Sequence, residues 1–138
     1  MATNPPITIG PFTNVPAPGS GVKSDWAQQI TNYVLRTAWT GVAYSNGWAD
    51  LAAGTQAVQY RKEGDRVFVR GMMKGGTLAS VAFTLPVGFR PPATERFDVS
   101  NTVDNLPFVT VANTGTVTTG GLTSNATVSV EFSFSVTA

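Results

Sequence analysis

Apolar and polar residues alternate most regularly over residues 128–136 of the sequence. The apolar set is Val128, Val130, Phe132, Phe134 and Val136, and Ser129, Glu131, Ser133 and Ser135 stand between them. Successive side chains of a strand point to opposite faces, so a period of two places each set on its own face. The pattern predicts a strand with one buried and one solvated face.

Shorter apolar runs separated by turn residues predict more strands. Residues 56–62 and 66–73 flank Glu63, Gly64 and Asp65, which predicts a hairpin. A third strand over 78–85 ends at Pro86, which cannot donate to a ladder. Further strands are predicted at 97–100, 108–112 and 116–118. Together these strands predict a mainly β domain over residues 39–138, an antiparallel β-sandwich of jelly-roll-like form.

Helical spacing predicts one short helix over residues 24–38. Ser24 or Asp25 can cap it, because their side-chain oxygens accept from free amides of the first turn. Such a short helix is marginal alone and needs a partner. The partner is either the chain's own β domain or further copies of the helix around a threefold axis, which would make this a trimerisation helix. The face in question carries Trp26, Ile30, Tyr33, Val34 and Thr37.

Prolines dominate the stretch before the helix, residues 1–23, which holds five of the nine. Each proline fixes its own φ and disfavours a helical conformation in the residue before it, so this stretch is predicted to be an extended arm. One interpretation is a disordered tail. The other is an arm anchored on a neighbouring protein through its apolar residues, which are Ile7, Ile9, Phe12 and Val15.

Composition argues against charged partners and membranes. Charged residues make up 12% of the chain, about half the usual share, and the net charge is +1. So weak a field attracts neither nucleic acid nor an anionic membrane surface, and no apolar run approaches the length of a membrane span. The 19 threonines and 17 valines favour strands. A neutral surface rich in Thr, Ser and Asn is typical of particle surfaces and of glycan contact.

Residues with catalytic chemistry are scarce. The chain has no histidine and no cysteine, which excludes catalytic triads and zinc sites built from them. The glycine pairs at 75–76 and 120–121 lack the Lys and Ser/Thr of a phosphate-binding loop. Asp98 and Asp104 are too loosely spaced for a calcium loop, and no acid pair has the apolar surroundings that a glycosidase needs. We therefore expect no enzymatic activity, no cofactor and no metal.

Aromatic residues provide the candidate binding chemistry. Trp39, Tyr44 and Trp48 lie within ten residues of one another, together with Asn46. A tryptophan face beside polar groups can bind the apolar face of a sugar ring. The alternative is core packing where the helix joins the β domain, because large aromatic side chains are usually buried.

A longer pattern resembles a known family. The matching residues are Asn46-Gly47-Trp48, Tyr60, Val67-Phe68-Val69-Arg70-Gly71, Phe83-Thr84-Leu85-Pro86-Val87-Gly88-Phe89-Arg90-Pro91, Val109, Val111 and Gly115-Thr116-Val117. Over residues 46–117 the chain resembles the tip domain of tail fibres and receptor-binding proteins of tailed phages. The run from Leu85 to Pro91 is the most specific part.

The resemblance implies a homotrimeric β-sandwich in the virion that recognises host cell-wall saccharide without cleaving it, at the tail tip or baseplate. The arm would then bind other virion proteins. The sequence lacks the long coiled-coil shaft or collagen-like stalk of a reaching fibre. A capsid decoration protein, head fibre or tail component with no specific ligand is therefore the alternative.

Within the specific run, each residue type has a structural use. Pro86 ends a strand, Gly88 permits a turn with positive φ, and Pro91 forces an extended exit. Phe89 is then placed to fill a pocket, and Arg90 to bind carbonyls or a carboxylate. The run predicts a structural role in the fold and no ligand chemistry.

Overall fold

Nine strands form two antiparallel sheets in residues 36–138, the part of the chain that this computed structural model describes. They are β1 (Thr40–Gly41), β2 (Ala49–Asp50), β3 (Gln59–Glu63), β4 (Arg66–Lys74), β5 (Val81–Thr84), β6 (Glu95–Asp98), β7 (Phe108–Val111), β8 (Thr116–Gly120) and β9 (Val128–Ser135). No helix occurs in these residues. The mainly β, antiparallel prediction is confirmed.

The first sheet, sheet A, is centred on β4. The hairpin partner β3 lines the first half of β4 on one edge, with β1 beyond it, and β2 pairs with the last residues of β4. The final strand, β9, pairs along the opposite edge, from Arg66 opposite Ser135 to Met73 opposite Val128. Gly64 takes a φ of +61° in the β3–β4 turn, as short hairpin loops require.

The second sheet, sheet B, has the strand order β5-β8-β7-β6. Three consecutive strands, β6 to β8, form a meander. β5 lies at the edge of the sheet beside β8, the last of the three, and a long link over residues 85–94 connects it to β6 at the opposite edge. That order is a Greek key. It differs from the predicted jelly roll, in which successive strands would alternate between the two sheets.

Both sheets contribute side chains to one core. Val67, Val69 and Met73 of β4 are buried, and the inward residues of β9 lie beside them. Phe83 of β5 and Val109 of β7 belong to the same cluster. Each such side chain contributes about 1.5–3 kcal/mol when fully buried. The alternation predicted for β9 is confirmed, since Val128, Val130, Phe132 and Phe134 are buried and the residues between them are more exposed.

The predicted link from Leu85 to Pro91 turns as expected. Gly88 has a φ of +93°, and the amide of Phe89 donates to the carbonyl of Pro86 at 3.1 Å. Arg90 turns back, and its Nε donates to the carbonyl of Leu85 at 2.8 Å. Arg90 therefore binds a carbonyl of its own link.

The same link is fastened to sheet A. The Phe89 ring meets the Tyr60 ring edge-on, with centroids 5.1 Å apart. Lys62 lies over Phe89, and its Nζ donates to the carbonyl of Gly88 at 2.8 Å. The prediction that this run serves the fold is confirmed by these contacts, which join the Greek-key link of sheet B to β3 of sheet A.

The predicted arm over residues 1–23 and most of the predicted helix lie outside the described residues. Residues 36–38 were predicted as the last of that helix, and for them the prediction is wrong. The amide of Thr37 donates to the carbonyl of Lys62 at 2.8 Å, and Thr37 Oγ1 accepts from the amide of Lys62 at 2.9 Å. Pairing with β3 therefore replaces helical hydrogen bonds here.

Candidate ligand-binding surface

The structure separates the predicted saccharide residues, and Trp48 is the clearest correction. Its side chain is 3% exposed. Its Nε1 donates to Oγ of Ser80 at 3.3 Å. Gly76 lies so close to the indole that a Cβ there would meet ring atoms at 2.1 Å. Trp48 is a core residue with no free face for a sugar, which supports the packing alternative.

Tyr44 and Asn46 are also occupied by contacts within the fold. Asn46 takes a φ of +56° in a turn, and its Nδ2 donates to the carbonyl of Val81 at 2.8 Å. The half-buried Tyr44 donates its hydroxyl to Oδ1 of Asp50 at 2.6 Å and meets the Phe83 ring edge-on. Burial, reinforced by the Asp50 carboxylate, raises the pKa of Tyr44 well above its usual range. These polar groups hold the segment between the two sheets.

Trp39 alone faces outward, on the side of sheet A that points away from the core. Its half-buried ring contacts two arginines, with the Cζ of Arg70 3.9 Å from the ring centroid and that of Arg61 at 4.7 Å. Such cation–π contacts orient the ring. Arg61 is also paired with the Glu63 carboxylate, so its charge is balanced.

A shallow depression, the outer groove, runs beside Trp39 between β4 and β9. It consists of two adjoining hollows of about 440 Å³ and about 300 Å³ that share Arg70 and Glu131. The remaining side chains that line the outer face of the groove are Trp39, Phe68 and Ser133 in the first hollow, and Gln56, Met72 and Ser129 in the second.

Among the polar groups of the outer groove, the Glu131 carboxylate is available as a hydrogen-bond acceptor. Arg70 and Glu131 are directly opposite across β4 and β9. The Arg70 guanidinium stacks on Trp39, and its Nη2 donates to Oε1 of Gln59 at 3.3 Å. Within residues 36–138, Glu131 has no ion pair. Within a single copy, its exposed carboxylate can accept hydrogen bonds.

Taken together, the outer groove combines apolar faces with hydroxyl, amide, guanidinium and carboxylate groups. That mixture suits a neutral, polyhydroxylated ligand, whose ring faces are apolar and whose edges both donate and accept. Most of its residues lie on strands, which hold a site more firmly than loops do.

Sequence reasoning predicted only Trp39 of this groove. Phe68, Arg70 and Glu131 were missed, although each occupies an outward position of a correctly predicted strand. The available signal was chemical. Phe68 and Arg70 occupy outward positions of β4, and Glu131 is the one acid on β9, whose other outward positions carry serine. The predicted trimerisation and anchoring residues lie within residues 1–35, outside the described part.

Residues 36–138 contain neither a cluster of metal ligands nor a membrane-spanning helix. No group of three or more acidic side chains lies close enough there to hold a metal ion. No helix in that part of the chain is long and apolar enough to cross a membrane.

Comparison with known proteins shows a likeness in fold. The chain is similar to the crystal structure of the receptor binding protein gp15 of Listeria phage PSA, with a TM-score of 0.53 and 16% sequence identity. The likeness covers 88% of this chain and 82% of that one. No protein-family model matches the sequence, and no curated protein has a significantly similar sequence.

Proposed function

We propose that this chain is a virion protein of a tailed phage that recognises a host cell-surface saccharide through the outer groove. The observation that carries the proposal is the outward Trp39, with donors and acceptors beside it, on a fold similar to that of a phage receptor binding protein. The motif at Leu85–Pro91, which resembles the same class of phage proteins, independently supports the part of the proposal that concerns a phage virion protein.

Recognition takes place without cleavage. Among residues 36–138, Glu131 is the one acidic side chain that lines the outer groove, whereas hydrolysis of a glycosidic bond uses two facing carboxyl groups. The groove therefore holds a saccharide and leaves its bonds intact.

The working assembly is a homotrimer at the tail tip or baseplate. The helical spacing of Trp26, Ile30, Tyr33 and Val34 supplies the threefold contact, and the apolar residues of the arm anchor the protein to other virion proteins. Several grooves on one particle raise the overall strength of attachment, because later binding events become intramolecular.

A pull-down of the full chain on isolated host cell walls tests the proposal. The wild-type chain is expected to bind, and periodate oxidation of the wall saccharides should abolish binding. Trp39→Ala should lose most of the binding and Trp39→Phe should keep part of it. Val87→Ala, an 82% exposed residue of the Greek-key link, is the matched control.

Two results would count against the proposal. Full binding by Trp39→Ala would remove the outer groove as the site. Absence of binding to walls, with antibody labelling of the capsid in electron micrographs, would favour a decoration protein that has no ligand.

A further inference from the structure

The outer edge of β9 has a defined set of free backbone groups. Ser129 exchanges two hydrogen bonds with Ser100, at 2.8 and 3.1 Å, on the side of β9 away from β4. In an antiparallel ladder, alternate residues direct both backbone groups to the same side. Glu131, Ser133 and Ser135 therefore direct their N–H and C=O groups outward as well.

This edge is open within the described part of the chain. In residues 36–138, no backbone group pairs with the outward groups of Glu131, Ser133 or Ser135. Exposed edges are ordinarily shielded by charged side chains, above all lysine, by proline, by a bulge or by a very short strand. β9 has eight residues, of which only Glu131 is charged and none is proline or lysine, and it has a regular register with β4. At the other edge of sheet A, β1 has only two residues.

From these features we infer that β9 pairs with β9 of a second copy of this chain. The two strands run antiparallel about a twofold axis, with Ser133 opposite its own counterpart and Glu131 opposite Ser135. Each of the three outward residues then exchanges two hydrogen bonds with its partner. The two A sheets become one continuous sheet.

The bridge between Ser100 and Ser129 favours the register in which Ser133 lies on the twofold axis. A shift that placed Ser135 opposite Ser129 of the other copy would require groups that Ser100 already occupies. With Ser133 on the axis, all three free residues are used, and the bridge between Ser100 and Ser129 remains intact.

Charge complementarity supports a second copy as the occupant. Arg66 lies next to Ser135 across the β4–β9 ladder. In the paired sheet, Glu131 of one copy faces Ser135 of the other, and Arg66 of that copy lies one strand further, about 10 Å away between Cβ atoms. A small serine lies between them, so the two long side chains can meet.

Within one copy the same two residues cannot pair. Glu131 is opposite Arg70, and Arg66 lies four residues further along β4, about 13 Å away. Two Glu131–Arg66 ion pairs therefore form only between copies, one on each side of the axis.

A charge exchange on the full chain tests this geometry by sedimentation equilibrium. Whatever number of copies residues 1–35 join, the wild-type mass should double as concentration rises. Glu131→Arg and Arg66→Glu each place like charges across the axis, and each alone should weaken the doubling about tenfold. An equimolar mixture of the two variants restores both ion pairs and should recover the wild-type constant. A wild-type mass that never doubles, or a mixture no stronger than its components, would overturn the inference.

A backbone substitution provides a second test. Ser133→Pro removes the central outward N–H while leaving the hydrogen bonds to β4 in place, and should abolish the doubling. Ser133→Ala also loses the hydroxyl and the hydrogen bond that Oγ accepts from Arg66 Nε, but it keeps the N–H and should still pair. Circular dichroism checks that both variants remain folded, and equal pairing by the two folded variants would contradict the proposed edge.

Discussion

Trp39 and Trp48 lie nine residues apart in one aromatic stretch, yet the fold uses them in opposite ways. Trp48 is 3% exposed, with Gly76 against its ring and Ser80 bound to its nitrogen. Trp39 lies on the outer face of sheet A, against two arginines and beside an open groove. The residue type is the same, and the surroundings decide the role.

The difference arises from the path of the chain between the two residues. β1 runs along the edge of sheet A, where Trp39 faces away from the core. Tyr44 then forms a bridge with Phe83 and brings the chain to sheet B. The turn at Asn46, whose φ is positive, directs Trp48 inward. Trp39 precedes this crossing from one sheet to the other and lies on the outer face, whereas Trp48 follows it and is buried.

Removal of the buried Trp48 indole should have the largest effect on the free energy of unfolding. Trp48→Ala deletes a large buried side chain and leaves a cavity, so the free energy of unfolding should fall by about 3–5 kcal/mol. Urea unfolding of the full chain measures this value. A loss below 1 kcal/mol would mean that Trp48 is not the core residue described above.

A methyl group placed on Gly76, against the Trp48 ring, should have the next largest effect on the free energy of unfolding. A Cβ on Gly76 would meet the indole at 2.1 Å, so Gly76→Ala should cost about 1–3 kcal/mol of unfolding free energy. Gly41→Ala is the matched control, since a Cβ at Gly41 meets nothing within 4 Å. Neither Gly41 nor Gly76 has a positive φ, so the two substitutions differ in the contact with the Trp48 ring. Equal losses at the two sites would show that contact with Trp48 adds nothing.

A change at Tyr44, which lies between the two tryptophans, should have a smaller effect on the free energy of unfolding. Tyr44→Phe removes the hydrogen bond to Asp50 and should lower the free energy of unfolding by about 1 kcal/mol at neutral pH. Because the folded-state pKa of Tyr44 is raised, its contribution is complete below the ordinary tyrosine pKa of about 10 and declines above it. The difference between wild type and variant should therefore shrink as pH rises past 10, as paired unfolding curves would show.

The outward tryptophan should matter least for stability. Trp39→Ala removes cation–π contacts at a partly exposed site, which are worth about 0.5–1 kcal/mol. Its unfolding free energy should therefore fall much less than that of Trp48→Ala, while wall binding is lost. A loss as large as that at Trp48 would abolish the contrast between the two residues.

At mildly acidic pH, the loop hydrogen bonds that hold Gly75 and Gly76 against Trp48 should weaken, whereas the contacts of Trp39 should not change. Hydrogen bonds from the side chain and amide of Thr123, and then from Asn101, hold the pKa of Asp104 below its usual range. Thr123 leads to Asn125, whose carbonyl accepts from Gly75 and whose Nδ2 donates to Gly76. A depressed pKa stabilises above the ordinary value of about 4, and the contribution is lost as pH falls below it.

Hydrogen exchange provides the measurement of that acid effect. The Thr123 and Gly75 amides should exchange faster below pH 4, relative to intrinsic rates, than amides in the β3–β4 ladder do. Asp104→Asn should show the faster exchange already at neutral pH. Uniform exchange across both regions would contradict the local linkage.

Much of the fold could be predicted because the residues that determine a strand or a turn lie next to one another in the sequence. The alternation of residues 128–136 and the turn at Gly64 each lie in a few adjacent residues, and the structure contains both. The turn at Gly88 and the hydrogen bond from Arg90 to the carbonyl of Leu85 likewise involve only adjacent residues.

The rest depends on distant partners. β1 and β2 have two residues each and exist only because β3 and β4 offer edges to pair with. The burial of Trp48 depends on Gly76 and Ser80, about thirty residues away, which no local pattern reveals. The outer groove likewise joins β4 to a strand that comes some sixty residues later.

The position of β9 in the chain has a consequence for synthesis. β9 is made after the other eight strands of residues 36–138, yet it pairs with β4 over eight residues and supplies four inward side chains. Such non-local pairing folds slowly, because a long loop must close first. Sheet A cannot be completed until residues 128–135 have left the ribosome. Until then, the apolar faces of the earlier strands are exposed to solvent. The nascent chain is therefore exposed to aggregation until translation of β9 is finished.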